Sequence, residues 1–422
     1  MKVAFILHDL QLSGGVGVVI EHARRLSELD GWDVTLVLSR EQKQTSWRGY
    51  EHLSRIYLCP REQALQQHFD VAVATWWETA FTLFELKAER YAYFVQSLED
   101  RFYRHDEAER IGAGLTLDLP VSFITEARWI ADTLALVRPG APCHLVRNGI
   151  DKDLFAPLDR VTPHDGPLRV LVEGPLQVWF KQVPEALRAA AAMREPHHVT
   201  LISSAGERTG LPAPVDEVIG PLSHREMAEV YTQTDVLLKL SSVEGMFGPP
   251  LEGFHRGATC VVTPVTGHDE YIRHGFNALL TDWEDLRGTA RQLDLLARDR
   301  ELLYHLRCNA LETARQWPDW GHASELMAAA LLEIRQAPPP DSVGASAQLM
   351  ADLRAAIEIH RGHLIERSRF GRIAIRVEHL ISRVRALRRF RLVRGAAWLL
   401  RPLTRRLKRA LSGASKVTSG DT

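Results

Sequence analysis

Two glutamates, Glu244 and Glu252, are separated by seven residues in Ser241–Glu252, a segment rich in glycine and proline. The apolar run Val236–Leu240 precedes it, and the turn is predicted to join this strand to a helix. Turn N–H groups and a helix N-terminus favour an anion such as phosphate, whereas carboxylates accept hydrogen bonds from hydroxyls. The spacing therefore predicts a ligand that carries both groups. The alternative is that neither glutamate binds a ligand. Glu252 would then be an acid in the first turn of the helix, where it complements the helix dipole, and Glu244 would be a solvated loop residue.

Other positions could also approach a phosphate. Lys181 lies in a loop before the predicted helix Pro184–Ala192, where an ammonium could neutralise a leaving diphosphate. Gly14 and Gly15 follow the first strand and would let a ligand approach the backbone closely. The third glycine of the dinucleotide-binding fingerprint is absent, which disfavours a nicotinamide or flavin enzyme. A solvated lysine and a plain strand-to-helix turn are the simpler alternatives.

Aromatic and polar side chains follow two strands of the first half. Trp76 and Trp77 come after one strand, and Gln96 comes directly after Tyr91–Val95. Aromatic rings cover the C–H face of a sugar and polar groups bind its hydroxyls, so a sugar could lie here. Ordinary burial of the two tryptophans is the alternative. His8 ends the first strand, and a satisfied histidine at a sheet edge explains it more simply than a ligand contact.

Short apolar runs alternate with helix-period stretches, the pattern of parallel α/β sheets. The strands predicted before the proline-rich connector at residues 157–167 are Val3–Leu7, Val34–Leu38, Val71–Ala74, Tyr91–Val95, Val121–Ile124 and Leu145–Val146. Those predicted after it are Leu168–Val172, Val199–Ile202, Val236–Leu240 and Thr259–Val262. We therefore predict two doubly wound, Rossmann-like domains at residues 1–160 and 161–335, a linker at 336–347 and a helical tail at 348–422.

The glutamate pair belongs to an ordered set of motifs that resembles the retaining glycosyltransferases of family 4, of GT-B fold (glycosyl transferases group 1). The other segments that carry the resemblance are Gly14–Gly15, Asn148–Asp151, Phe155, the Lys181 region, Gly257–Pro264, Gly267–Glu270 and Gly275–Leu280. Together they extend over residues 1–335. The chain departs from the family where Pro175 replaces an arginine and where Met246 is inserted into the Glu-Gly-Phe-Gly sequence.

The resemblance implies two domains that face a cleft, with the donor in the second domain and the acceptor in the first. Glu244 and Lys181 are then catalytic, on the donor sugar and the diphosphate respectively. Glu252 binds the ribose. The remaining substrate-binding residues are Gly14, Gly15, Gln96, Leu222, Met246, Phe247 and Gly248. Gln96 occupies a strand-end position where the family often has histidine, so no catalytic histidine is assigned. Neither a metal nor a cofactor is expected.

The implied activity moves a hexosyl or deoxyhexosyl group from a nucleotide sugar to a saccharide or lipid-linked saccharide, in bacterial surface polysaccharide synthesis. Two alternatives stay open. A sugar-nucleotide epimerase of the same fold would turn over without an acceptor. A non-catalytic scaffold would bind a membrane or a nucleic acid through its basic tail.

Charge is segregated along the 422 residues. Residues 361–422 contain 17 Lys+Arg against 3 Asp+Glu, whereas the preceding 360 residues contain 35 against 50. The tail has a helical apolar stripe with interleaved arginines between Phe370 and Leu387, so it should bind an anionic membrane rather than nucleic acid. The four cysteines are widely spaced, and no run has the length of a signal-peptide core or a membrane span. We expect a cytoplasmic protein, peripheral at the inner face of the cell membrane.

Overall fold

The apolar runs of the sequence form two all-parallel sheets. The structure is a computed structural model and describes residues 1–10, 13–40, 57–203, 209–339 and 343–367. Residues Met1–Ala351 form one compact unit, which contains both sheets, and the described residues 352–367 belong to a second unit. The predicted membrane-binding segment from Phe370 to Leu411 lies outside the described residues.

The first sheet consists of seven parallel strands flanked by helices. Its strands are β1 (Lys2–Leu7), β2 (Asp33–Leu38), β3 (Tyr57–Pro60), β4 (His68–Ala74), β5 (Lys87–Val95), β6 (Ser122–Thr125) and β7 (Cys143–Leu145), in the order β3-β2-β1-β4-β5-β6-β7. The helices between them are α1 (Gly14–Ser27), α2 (Arg61–Ala64), α3 (Ala80–Leu83), α4 (Ala108–Thr116) and α5 (Arg128–Val137). Strands β1 and β4 occupy the centre, where the order reverses.

The second sheet repeats this arrangement with six parallel strands. Its strands are β8 (Leu168–Glu173), β9 (His197–Ile202), β10 (Glu217–Ile219), β11 (Val236–Lys239), β12 (Thr259–Val262) and β13 (Leu279–Leu280), in the order β10-β9-β8-β11-β12-β13. Its helices are α6 (Val183–Ala191), α7 (His224–Thr232), α8 (Gly248–His255), α9 (Leu286–Arg298) and α10 (Arg300–Gln316). The order reverses between β8 and β11, so a crevice for ligands is expected at their carboxyl ends.

The predicted pair of doubly wound α/β sheets is confirmed, and every predicted strand overlaps an observed one. Sequence reasoning missed β3, β10 and β13, which all lie at sheet edges. These strands have two to four residues, most of them only partly buried or exposed. An edge strand pairs on one side only and has fewer apolar residues, so its sequence pattern is weak.

The helix after the second sheet packs in the core of the first sheet. Helix α11 (Trp320–Gln336) buries Met327, Leu331 and Ile334 in the cluster that contains Phe5 of β1. Apolar side chains cluster because this removes them from water, whatever their separation in the sequence. The predicted second domain extends to residue 335 and so includes most of α11. The apolar side chains of this helix nevertheless pack in the core of the first sheet. The bounds of the domains themselves remain predictions. Helix α12 (Val343–Arg367) follows.

The chain passes between the sheets twice, and the two passages touch at Gly149. A Cβ at this position would lie 2.3 Å from the carbonyl carbon of Asp319. The Ile150 N–H donates to the Pro318 carbonyl (3.2 Å), and the Trp317 indole donates to the Asn148 carbonyl (2.9 Å). Only glycine allows this approach, so the passages hold each other in place.

A second close approach joins the loop between β11 and α8 to the first sheet. A Cβ at Gly245 would lie 1.9 Å from the backbone oxygen of Gln96, which follows β5. The Trp129 indole donates to the Gly245 carbonyl (2.9 Å). Glu126, directly after β6, accepts hydrogen bonds from the Met246 N–H (2.9 Å) and the Asn148 amide (2.7 Å). The loop is therefore held by side chains of the first half.

Glu126 is a buried carboxyl whose protonation is linked to stability. Burial raises its pKa to about 7, and the negative charge of Glu244 adds to this effect, while the two hydrogen bonds oppose it. The folded pKa lies above the value in an unfolded chain, so the folded state binds the proton more tightly. The stabilising contribution is complete below about pH 4.3 and is lost as the pH rises to about 7.

We predict that Glu126→Gln flattens the pH dependence of stability. Because glutamine does not titrate, the decline in the free energy of unfolding between pH 5 and pH 8 should be smaller than in the wild type by about 1–3 kcal/mol. Urea denaturation at four pH values measures it. Glu301→Gln, at a side chain that is 87% exposed, is the control and should follow the wild-type curve. Parallel curves for Glu126→Gln and the wild type would contradict the assignment.

Candidate active site

The carboxyl edge of the second sheet brings charged side chains together. Glu173 ends β8 and Lys239 ends β11, while Lys181 and Glu244 lie in the loops that follow these two strands. The carboxyl ends of parallel strands lie at the same edge, and β8 and β11 are neighbours. Two predicted catalytic residues and two unpredicted charged residues thus share one crevice.

Lys181 and Glu244 form a bidentate ion pair. The Lys181 ammonium donates to both carboxylate oxygens of Glu244, at 2.9 and 2.8 Å. The side chain of Glu244 is 9% exposed and that of Lys181 is 25% exposed. Burial alone would raise the pKa of Glu244, but the charges of Lys181 and Lys239 outweigh it and lower this pKa. Glu244 is therefore an ionised carboxylate rather than a solvated loop residue, and the side chain of Lys181 remains partly exposed.

Glu252 is the fifth residue of α8, so it is not a first-turn acid. This position excludes the alternative in which Glu252 complements the helix dipole. Burial and the negative charge of Glu173 raise the pKa of Glu252 to about 8, against the opposing effects of Tyr231 and Lys239. From the sequence, Glu252 is expected to be an ionised carboxylate that only accepts hydrogen bonds. The surroundings of Glu252 instead favour the neutral carboxyl at pH 7, which both donates and accepts hydrogen bonds.

The turn at Met246–Gly248 was predicted to offer N–H donors to a ligand. The Met246 N–H donates to Glu126 instead, and the Gly248 N–H donates to the Met246 carbonyl (2.9 Å). The Phe247 side chain is fully buried in the hydrophobic cluster on which Leu222 also packs. Leu222 and Phe247 therefore support this face of the second sheet, and any ligand contact by these turn residues remains a prediction.

Gln96 lies close both to Gly15, which follows the first sheet's β1, and to Gly245 in the loop after β11. Its side-chain oxygen lies 3.2 Å from the place of a Cβ on Gly15, and its backbone oxygen approaches Gly245. Helix α1 begins at Gly14, because the Ser13 hydroxyl caps it by accepting from the Val16 N–H (3.3 Å). Gly15 and Gln96 thus lie together beside the Glu244 loop, and a Cβ on Gly14 would have no neighbour within 4 Å among the described residues.

The aromatic residues after β4 have different roles. Trp77 is fully buried and donates to the Tyr103 hydroxyl (2.9 Å), so for this residue the burial alternative holds. Trp76 stacks on Phe102 with ring centroids 5.8 Å apart. Phe102 in turn lies 5.0 Å from Phe180, which precedes Lys181. We call Trp76, Phe102 and Phe180 the aromatic row; it leads from the first sheet to the ion pair.

His8 is partnered, as the simpler explanation predicted. Its Nε2 lies 3.2 Å from a carboxylate oxygen of Glu78, to which Arg40 also donates (3.0 Å). This cluster lies at the carboxyl edge of the first sheet, so each of the two sheets has charged groups at its carboxyl edge.

Sequence reasoning missed Glu126, Glu173 and Lys239. Glu126 and Glu173 stand at strand ends, where side chains at a sheet's ligand-binding edge are expected, and this signal could have identified both. Lys239 interrupts an apolar strand, which is unusual because a buried lysine needs a partner. No group of three or more potential metal ligands occurs among the described residues, and the expectation of a metal-free site remains a prediction.

None of the helices in the described parts of the chain combines the length and the apolar character needed to cross a bilayer.

Comparisons with known proteins agree with the observed fold. Residues 210–313 match the family model "Glycosyl transferases group 1". No curated protein matches the sequence. Sucrose-phosphate synthase from Thermosynechococcus elongatus is a similar solved structure, with a TM-score of 0.64 and 15% identity over 80% of this chain and 100% of that one.

Two further solved structures show the same fold. HepE of Anabaena, in complex with UDP and glucose, has a TM-score of 0.63 and 15% identity over 79% of this chain and 100% of that one. WaaG, a glycosyltransferase involved in lipopolysaccharide biosynthesis, has a TM-score of 0.58 and 12% identity over 78% of this chain and 98% of that one. The chain therefore has a GT-B fold, and its residues 210–313 match the glycosyl transferases group 1 model.

Proposed function

We propose that the protein is a retaining glycosyltransferase that takes a hexosyl or deoxyhexosyl group from a nucleotide sugar. The observation that carries this proposal is the Lys181–Glu244 ion pair at the carboxyl edge of the second doubly wound sheet. The match to the glycosyl transferases group 1 model supports it. The complex of HepE with UDP-glucose supports a nucleotide-sugar donor.

Each charged group has a role in this reaction. Lys181 binds the diphosphate and stabilises the charge that develops on it as the glycosidic phosphate ester breaks. On donor binding its ammonium is shared with the phosphate, and Glu244 becomes available to accept from hydroxyls of the donor sugar. Glu252 contacts the ribose, for which a neutral carboxyl is suitable since ribose hydroxyls both donate and accept.

Retention of configuration follows from attack on the face that the diphosphate leaves. The bond between the anomeric carbon and the phosphate oxygen breaks, and the acceptor oxygen forms its bond to the same face of this carbon. The acceptor proton passes to the departing diphosphate. No covalent nucleophile and no metal ion are assigned a step in this scheme.

The acceptor is proposed to be a saccharide or a lipid-linked saccharide of a bacterial surface polysaccharide. The aromatic row supports this choice, because rings that lead to the reacting centre can cover the C–H face of a sugar. WaaG, named for lipopolysaccharide biosynthesis, provides a structural parallel. The proposed location is the cytoplasmic face of the membrane, held there by the basic tail.

We predict that Lys181→Ala lowers the turnover number about 100-fold, because it removes a cation from the leaving group. Thermal shift with nucleotide sugars first identifies the donor, since a ligand well above its dissociation constant raises the melting temperature. Transfer and donor hydrolysis are then measured, and NMR of the product shows whether the anomeric configuration is retained. Lys152→Ala is the matched control, at a lysine that donates only to the Arg315 carbonyl among the described residues (3.1 Å).

The same assay distinguishes the alternatives. An epimerase would convert the nucleotide sugar without an acceptor, and a scaffold would bind it without turnover. Unchanged turnover in Lys181→Ala, with an intact fold, would remove Lys181 from the reaction and contradict the scheme.

The tail prediction is tested with liposomes. The full chain should sediment with anionic vesicles, and a chain that ends at Arg367 should not, because each arginine near an anionic surface contributes about 1 kcal/mol. Added salt should weaken the binding. A full-length variant with Arg372, Arg376, Arg383 and Arg388 changed to glutamine is the control that keeps the apolar stripe. Equal sedimentation of all three proteins would exclude the tail as an anchor.

A further inference from the structure

A buried ion pair lies at the point where the order of the second sheet reverses. The Lys239 ammonium donates to a carboxylate oxygen of Glu173 at 2.5 Å, and the side chains are 3% and 11% exposed. These residues end β11 and β8, two neighbouring strands. Ligands of doubly wound sheets bind outside the carboxyl ends of such strands, so this pair lies next to the expected ligand.

Strand alternation directs both side chains toward α8. Leu171 and Leu237 belong to the cluster that contains Phe254 of α8, whereas the residues that follow them belong to the opposite cluster. Successive side chains of a strand point to opposite faces, so Glu173 and Lys239 lie on the face of Leu171 and Leu237. This is the face that carries Glu252.

The Lys239 ammonium is close enough to three carboxyl groups to respond to their charge. Burial by itself would lower its pKa, but the negative charges around it outweigh burial and raise the pKa. At neutral pH these charges belong to Glu173 and Glu244, because Glu252 is then largely protonated. Lys239 is therefore paired with Glu173 and lies near acidic groups that the proposed donor would contact.

The crevice contains few cations that could pair with a bound diphosphate. Pro175 stands where an arginine was expected, and Lys181 is the cation of the β8–α6 loop that is paired to Glu244. A nucleoside diphosphate would add further negative charge beside the carboxylates of Glu173 and Glu244. Buried or part-buried anions need paired cations, and Lys239 is the other ammonium in this part of the described chain.

We propose that Lys239 is the second cation of the diphosphate site and that Glu173 is its counter-ion when no diphosphate is bound. This inference rests on the proposed function, because it assigns a residue to the donor site. When a diphosphate enters, the ammonium shares its N–H donors between Glu173 and a phosphate oxygen. Glu173 then competes with the phosphate for the same ammonium, so the two residues should affect affinity in opposite directions.

Calorimetric titration with inorganic pyrophosphate, UDP and GDP tests the proposal. Lys239→Met should weaken binding about tenfold or more, and Glu173→Gln should strengthen it about threefold to tenfold, as expected for one charge-assisted contact. Uridine and guanosine lack the diphosphate, so their affinities should not change. A pair that only supports the fold would not strengthen diphosphate binding when its carboxylate is neutralised.

Controls separate binding from folding. Lys239→Met leaves a buried carboxylate unpaired, so the double variant Glu173→Gln/Lys239→Met, which is neutral at both positions, should fold and bind as weakly as Lys239→Met. Glu185→Gln, on the exposed face of α6, removes the same charge elsewhere and should leave affinity unchanged.

The outcomes are distinct. Wild-type affinity for the diphosphates in Glu173→Gln and in the double variant overturns the role of Lys239 while leaving the proposed function intact. If the wild type binds pyrophosphate through Lys239 but binds neither nucleotide, the anion site stands and a UDP- or GDP-sugar donor is excluded. Absence of pyrophosphate and nucleotide binding in the wild type overturns this inference.

Discussion

The site depends on one steric constraint, the contact between the Gly245 backbone and the Gln96 carbonyl. Any side chain at position 245 would overlap this oxygen, so glycine alone allows the β11–α8 loop to rest on the first sheet. Three contacts then fix the loop: the Trp129 indole on Gly245, the Glu126 carboxyl on the Met246 N–H, and the Lys181 ammonium on Glu244. Glu244 is consequently held at the boundary of the two sheets.

Charge balance is the second requirement of this arrangement. Three carboxyl groups lie near one another on the second sheet, and the ionised form of each would be unfavourable without a partner in a desolvated crevice. Lys181 holds Glu244 in its ionised form, Lys239 pairs with Glu173, and Glu252 remains largely protonated at neutral pH. A ligand that carries negative charge must therefore exchange partners with these ammonium groups, which makes the ion pairs part of recognition rather than simple supports.

Packing across the sheets explains why the first sheet needs the chain's later residues. Helix α11 packs against α1, β4 and β5 and buries Met327 and Leu331 in the core of the first sheet, and the passages at Gly149 and Asp319 cross in contact. The His22 imidazole lies 5.3 Å from the Trp320 ring and hydrogen-bonds with Ser324. A chain cut before residue 320 would expose this apolar surface of the first sheet, so the two halves depend on each other for stability.

The sequence by itself determined the two doubly wound sheets and the loops that carry Glu244, Glu252 and Lys181, because apolar runs and turn residues are local signals. The sequence also shows that the excess of positive charge is confined to the tail. Only the tertiary structure decided that Lys239 pairs with Glu173, that Glu126 receives the Met246 N–H and that α11 returns to the first sheet. It also decided that Glu252 favours its neutral form. These features depend on residues far apart in the chain whose burial removes water, and neither their contacts nor the resulting pKa shifts follow from spacing.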